Sequence, residues 1–216
     1  MKHEKPIATV DIVLLTLKDD ALHVALYPRE KEPFAGVSGL PGGYVHVDED
    51  SDLDAAARRV LRDKAVLKVV YIEQLGTFSG AKRDPRGWSL SAAYLALLPI
   101  ERLDGVELSP VEPLPRRLPF DHGSILKAAI GRVRQKSVYS TLPTFLMPDE
   151  FTIAELRDVY QIVLEIEKID LAGFRKKILD LKAIEPVEGK MRTGTHRPAQ
   201  LYRRAVKDIA LFDRTI

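Results

Sequence analysis

The stretch from Leu40 to Lys64 constrains this chain more than any other. It reads Leu40-Pro41-Gly42-Gly43, then Glu49, then Ala55-Ala56-Ala57-Arg58-Arg59-Val60-Leu61-Arg62-Asp63-Lys64. Paired glycines predict a turn, and the alanine-rich run after them predicts a helix from about Leu53 to Lys64. Leu53, Ala57, Val60, Leu61 and Lys64 mark its inner stripe; Arg58, Arg59, Arg62 and Asp63 fall mostly off it. Arg59, Arg62 and Asp63 stand at i, i+3 and i+4, the spacing that gathers side chains on one helical face.

Around this unit, strands and helices alternate as far as about Ser140. Ala8 to Leu17 is almost unbroken in its apolar character, the pattern of a strand covered on both faces. Lys18-Asp19-Asp20 is a turn, and Leu22, Val24 and Leu26 then alternate with His23, Ala25 and Tyr27, predicting a hairpin. Further strands are predicted at Val66 to Ile72, Leu75 to Phe78 and Trp88 to Leu98, with Arg83-Asp84-Pro85-Arg86-Gly87 as a turn and Trp88 packing on the core. A proline-rich connection leads to a helix from His122 to Lys136 with Ile125, Ala129 and Val133 on one face.

From Thr141 the style changes. Leu142 to Pro148 reads as a short linker, after which Thr152 and Glu155 form a capping box flanked by Phe151 and Leu156 as a hydrophobic staple. Ile153, Leu156, Tyr160, Val163 and Leu164 give one amphipathic helix. Asp170 caps a second, with Leu171, Phe174, Ile178 and Leu181 inward and Ala172, Gly173 and Lys176 opposite, flanked by Arg175 and Lys177. Two short strands, Ala183 to Glu188 and Ala199 to Arg204, enclose a basic loop containing Lys190, Arg192, His196 and Arg197. Helix, turn, helix and basic hairpin is the winged helix-turn-helix order.

From Arg175 to Arg204 there are nine basic residues against three acidic, in a chain of 216 residues whose net charge is only +2. Phosphate binding needs such a local excess. A basic helix face is by default simply solvated; the basic hairpin at wing spacing is what turns the reading towards DNA. The small Ala172 and Gly173 allow close entry into a major groove. With no cysteines, disulfides and thiolate metal sites are excluded, and the five histidines lack ligand spacing. No apolar run approaches a membrane span and no signal-peptide core is present, so a cytoplasmic protein with no membrane partner is expected.

The box from Leu40 to Lys64 resembles the signature of Nudix hydrolases. In that family the three helix positions are carboxylates holding magnesium; here they are Arg59, Arg62 and Asp63, with one extra residue between Glu49 and Arg58. Two cations and one anion repel a divalent metal, and Glu49 with Asp63 substitutes poorly, so no catalytic residue and no metal site is expected. Together with Tyr71-Ile72-Glu73-Gln74-Leu75, Arg83 to Trp88, Phe151 to Leu156, Phe174 to Lys177 and Arg197 to Tyr202, the chain resembles the Nudix-related transcriptional regulators. The resemblance implies an α+β protein: an N-terminal Nudix α/β/α sandwich with a mixed sheet (1–140), then a C-terminal winged helix-turn-helix domain (141–216). It also implies a homodimeric bacterial repressor of NAD-metabolism genes. Such a protein binds palindromic double-stranded operator DNA and takes ADP-ribose as effector, with no cofactor. A regulator of a sugar-use operon and a Nudix pyrophosphatase are the alternatives. Expected ligand residues are Arg29, Gly42, Gly43, Arg59, Arg62 and Arg86, the arginines replacing the metal by bidentate pairing with pyrophosphate. Expected DNA residues are Ala172, Gly173, Arg175, Lys176, Lys177, Lys190, Arg192, His196 and Arg197.

Overall fold

A computed structural model describes residues 5–65, 71–103, 105–193 and 198–216. Strand β1 (Ile7–Lys18) and strand β2 (Ala21–Pro28) form the predicted hairpin, with Asp19 and Asp20 both at positive φ (48° and 57°) in its two-residue turn. Beyond them come β3 (Ser38–Gly39), β4 (Gly42–Tyr44), α1 (Leu53–Ala65), β5 (Tyr71–Gly80), β6 (Ser89–Leu97), β7 (Glu107–Pro110) and α2 (His122–Ser137). One sheet runs β3-β2-β1-β6-β5, with β4 added to β1 and β7 to β2. The β1–β6 pair is parallel and the others antiparallel, so the sheet is mixed.

The sheet is covered on both faces. Val10, Ile12 and Leu14 face Ala56, Ala57, Val60 and Leu61 of α1, while Val13 and Leu15 face Ile125, Ala129 and Val133 of α2. This two-sided burial is why β1 carries no period-2 alternation.

The second region follows as a 3-10 helix (Leu142–Leu146), α3 (Ile153–Leu164), α4 (Leu171–Asp180), β8 (Ile184–Arg192) and β9 (Ala199–Arg204). Thr152 and Glu155 make the reciprocal capping box, with Phe151 and Leu156 fully covered beside it. Asp170 caps α4 by accepting from Gly173 N at 2.7 Å.

Several expectations are corrected. Leu142 to Met147 is no linker: all of it is buried, and its side chains fill the seam between the regions. Val13 and Leu15, the inner face of α2, Phe145, Leu156, Tyr160, Phe174 and Ile178 belong to one continuous apolar cluster, so the seam is a packed core. The two strands expected between Val66 and Phe78 are, from Tyr71 on, a single strand with a bulge between Gln74 and Gly76, which breaks the alternation; residues 66–70 lie outside the described residues. Leu53 and Leu171, placed inward from sequence, are 36% and 40% exposed, each at the first position of its helix. Trp88 is also exposed, standing just ahead of β6 at the sheet end. Gly42 and Gly43 form a short strand against β1 where a turn was expected. Glycine is demanded there by close approach: a Cβ on Gly42 would sit 2.2 Å from Asp11 Oδ1 and 2.8 Å from Val10 O.

Residues 210–216 run back across the seam. Thr141 N donates to Ala210 O (2.9 Å), Phe212 N to Tyr139 O (2.8 Å) and Ile216 N to Val138 O (2.9 Å). No described helix is long and apolar enough to cross a membrane.

Candidate ligand cleft and nucleic-acid interface

At the end of the sheet marked by Gly42, a buried charge network sets the backbone. Asp11 is the lone carboxylate in the apolar run of β1. His122 Nδ1 accepts from Leu40 N (3.0 Å), so the Nε2 facing Asp11 Oδ1 at 3.5 Å carries the proton. Arg83 reaches Asp11 Oδ2 at 3.4 Å and grips both oxygens of Asp121 at 2.9 and 3.1 Å. Burial pushes the Asp11 carboxyl up, but His122, then Ser91 and Arg83, outweigh it, and its pKa ends below the usual value. The network ties β1, Leu40 between β3 and β4, the Arg83 turn and the start of α2 together.

Above it two arginines converge on one ring. The Arg29 guanidinium lies 4.6 Å from the centre of the Phe120 ring and that of Arg86 5.8 Å. Arg29 Nε donates to Pro33 O (3.0 Å) and its Nη2 to Lys31 O (3.4 Å), leaving its Nη1 without a partner among the described residues. Arg86 is held by Asp84 (2.6 and 3.0 Å) and donates to the Tyr44 hydroxyl. Burial and then the positive charge of Arg86 lower the Arg29 pKa, the mark of two cations held close.

The expected arginines of α1 behave differently. Arg59 donates twice to Asp50 (2.8 Å each) and once to Tyr44 O (2.8 Å), with Glu49 3.8 Å away. Its hydrogen bonds hold the Asp50 carboxyl down to about 2. Arg62 is exposed and reaches only Asp63, at 3.3 Å, among the described residues. The structure therefore gathers Arg29 and Arg86 at Phe120, links Arg59 to Arg86 through Tyr44, sets Gly42 against Asp11 and Gly43 against Val60, and leaves Arg62 apart. Sequence reasoning missed Asp11, Tyr44, Asp50, Phe34 and Phe120. Asp11 was signalled by its isolation among apolar residues and Asp50 by the acidic run beside Glu49. The aromatic residues carry no spacing that would have marked them. Among the described residues no group of three His, Asp or Glu side chains is gathered to hold a metal ion.

In the second region, α3 and α4 pack through an edge-to-face contact of Tyr160 and Phe174 (5.1 Å). Ala172, Gly173, Arg175 and Lys176 are exposed on α4, and among the described residues the Arg175 side chain makes only a 3.3 Å contact with the Tyr202 hydroxyl. Lys177 is engaged elsewhere: its Nζ donates to the carbonyls of Arg214 (3.1 Å) and Thr215 (2.6 Å) and lies over Phe212. On the hairpin, Lys190 pairs with Glu150 (2.6 Å) and Arg192 with Glu155 (3.2 Å), all on the surface. His196 and Arg197 lie outside the described residues.

Comparison with known proteins matches the two regions to one family. Residues 143–204 fit the model of the NrtR DNA-binding winged helix domain. Across 95% of the chain and 85% of its own length, the ADPR responsive transcriptional repressor NtrR of Acinetobacter baylyi is 34% identical. The crystal structure of Shewanella oneidensis NrtR in complex with a 27-mer DNA superposes with a TM-score of 0.89 at 34% identity, covering 97% of this chain and 99% of that one. The Nudix domain of the same Shewanella protein, crystallised with ADP-ribose, covers 60% of this chain and 90% of that one, with a TM-score of 0.55 and 36% identity. A mixed-sheet sandwich carrying a degenerate Nudix helix, packed onto a winged helix, places this chain in the NrtR family of Nudix-related transcriptional regulators.

Proposed function

We propose that this protein is a repressor of NAD-metabolism genes. It binds a palindromic operator as a homodimer through α4 and the β8–β9 wing, and senses ADP-ribose in the Nudix cleft without hydrolysing it. The observation that carries the effector half is the convergence of Arg29 and Arg86 on Phe120. Two guanidinium groups held close repel each other, and a pyrophosphate between them removes that penalty while taking up the free Arg29 donors. Gly42 and Gly43, on the strand that leads to Tyr44, are assigned to the same cleft, and Arg59 pairs with Asp50, removing one negative charge from that side. Arg62 contributes at most long-range positive potential. The names of the Acinetobacter and Shewanella relatives support ADP-ribose over a sugar phosphate.

The carboxylates that would hold magnesium on α1 are replaced by Arg59 and Arg62, and Arg59 is committed to Asp50, which supports a regulator without turnover. On the DNA side, Ala172, Gly173, Arg175 and Lys176 present the open face of α4, and Lys190, Arg192, His196 and Arg197 supply the wing. Lys177 joins them only if its bonds to the final residues break. A mobility shift on the upstream DNA of the protein's own operon, with and without ADP-ribose, tests both halves. A specific complex that dissolves with ADP-ribose is expected. Specific binding indifferent to ADP-ribose but sensitive to a sugar phosphate would favour the sugar-operon alternative. Magnesium-dependent release of AMP from ADP-ribose would instead favour the enzyme.

A further inference from the structure

Segment 210–216 lies between the two regions and holds on to both. On one side it is bonded to the chain just after α2. Thr141 N donates to Ala210 O, Phe212 N to Tyr139 O and Ile216 N to Val138 O, and Ala210 N donates to the Thr141 hydroxyl at 2.8 Å. Phe212 is buried and joins the core at the seam, its ring centre 6.2 Å from that of Tyr160. On the other side the segment is held by α4 through Lys177. Its Nζ spends two of three donors on the carbonyls of Arg214 (3.1 Å) and Thr215 (2.6 Å), and lies 5.6 Å from the centre of the Phe212 ring. A lysine on a surface helix is ordinarily solvated. This one is half-buried and bound, whereas its neighbours Arg175 and Lys176 are open. Helix α2 gives the segment its reach, because its 16 residues span about 24 Å. Asp121 and His122 at its start are fixed by Arg83 and Asp11, and residues 138–141 at its end carry the segment.

We propose that Lys177 is a positioning residue and not a phosphate contact: it anchors segment 210–216 as a latch between α4 and the far end of α2. Through this latch a change at the start of α2 is passed to the helix that meets DNA. Coupling between distant sites needs an element that both can bias, and the latch is bonded to both. Its acceptors on the segment are two successive backbone carbonyls, so a shift of α4 against the segment lengthens both bonds together. A DNA phosphate would have to strip Lys177 of those bonds and of the Phe212 ring, a cost that Arg175 and Lys176 do not carry. The relay half of the proposal rests on the ADP-ribose reading above; the anchoring half does not.

Two variants of the full chain loosen the latch from opposite ends. Lys177→Met keeps the stem and removes the donors; Thr141→Val keeps the volume and removes the acceptor of Ala210 N. By amide hydrogen exchange, Phe212 and Ile216 are expected to exchange roughly tenfold faster in Lys177→Met, the order set by losing hydrogen bonds from a charged group. Calorimetric titration with ADP-ribose should give the wild-type affinity in both variants. Operator binding is then measured across a salt series, with and without saturating ADP-ribose. The ratio of the two operator affinities should fall towards one in both variants. Lys177→Arg, which can donate to the same carbonyls, should recover it. Without ADP-ribose, Lys177→Met should keep the wild-type slope of log K against log salt. A slope flatter by about one, with the ratio intact, would make Lys177 a phosphate contact and overturn the proposal. Unchanged exchange would remove the anchor, and faster exchange with an unchanged ratio would reduce the segment to structural cover; either overturns the proposal. A wild-type operator complex indifferent to ADP-ribose would sink the effector reading and the relay with it, while the exchange rates still decide the anchoring half.

Discussion

The cationic residues of the first region and those of α4 look alike in sequence and act differently. In the first region Arg59 and Arg83 each meet a carboxylate within 3 Å, and Arg83 is nearly covered. Their charge is neutralised inside the fold, where it sets the positions of Tyr44, Asp50 and the start of α2. On α4, Arg175 and Lys176 are exposed and meet no carboxylate among the described residues. The lesson concerns unsatisfied donors rather than counts of basic residues: a positive charge already answered by its own chain is architecture, and one left open is available to a phosphate. Arg29 belongs to the second kind although it lies in the first region, because backbone carbonyls take only part of its fork.

The comparison can be broken in order of expected effect. Gly42→Ala forces a methyl group against Asp11 Oδ1 and the Val10 carbonyl; denaturant unfolding should show a loss of about 3 kcal/mol, the upper end for overpacking. Unchanged stability would mean that the strand shifts freely and that the buried network is not rigid. Replacing both Arg175 and Lys176 by alanine should lower operator affinity and flatten the salt dependence of log K by about two, one for each phosphate contact. Folding stability should stay within about 0.5 kcal/mol, as for ordinary surface changes. If the slope holds, these residues are solvated rather than phosphate-bound.

Arg59→Ala should lower the thermal midpoint at neutral pH, and the sign of its pH dependence follows from Asp50. A carboxyl whose folded pKa is depressed to about 2 stabilises the fold above its unfolded pKa near 4 and loses that contribution as pH falls from about 4 towards 2. The difference between wild type and variant should therefore be full at pH 7 and shrink below pH 4. A difference that persists at pH 2 would mean that Arg59 acts through packing. The smallest effect is expected for Lys190→Ala: its exposed pair with Glu150 is worth at most about 1 kcal/mol to folding, so any measured loss should appear in DNA binding alone.

Much of the fold was legible because local signals agreed with one another. The Thr152–Glu155 box, the Asp170 cap and the Asp19-Asp20 hairpin each rest on residues within a few positions, and the structure has them where sequence puts them. What stayed hidden depends on distant partners. Leu142 to Met147 reads as a linker because nothing local says that Val13 and Tyr160 will cover it. Gly42 reads as a turn residue because its close neighbour, Asp11, is 31 positions away. The ligand cleft suffered most, since Arg29, Arg86 and Phe120 lie on separate loops that only the assembled fold brings together. The chemistry at the α1 face was half legible: the loss of carboxylates was plain, while the destination of Arg59 was not.

That destination has a consequence for ancestry and reversal. The Arg59–Asp50 pair supplies, as part of the polypeptide, a positive charge that cannot dissociate or be chelated. Restoring glutamate at position 59 would leave it facing Asp50 and Glu49 with no counter-ion, so such a revertant would fold best with a divalent cation present and weaken when the cation is removed. The chain has in effect internalised a counter-ion, so that the charge of Asp50 is answered from within the polypeptide.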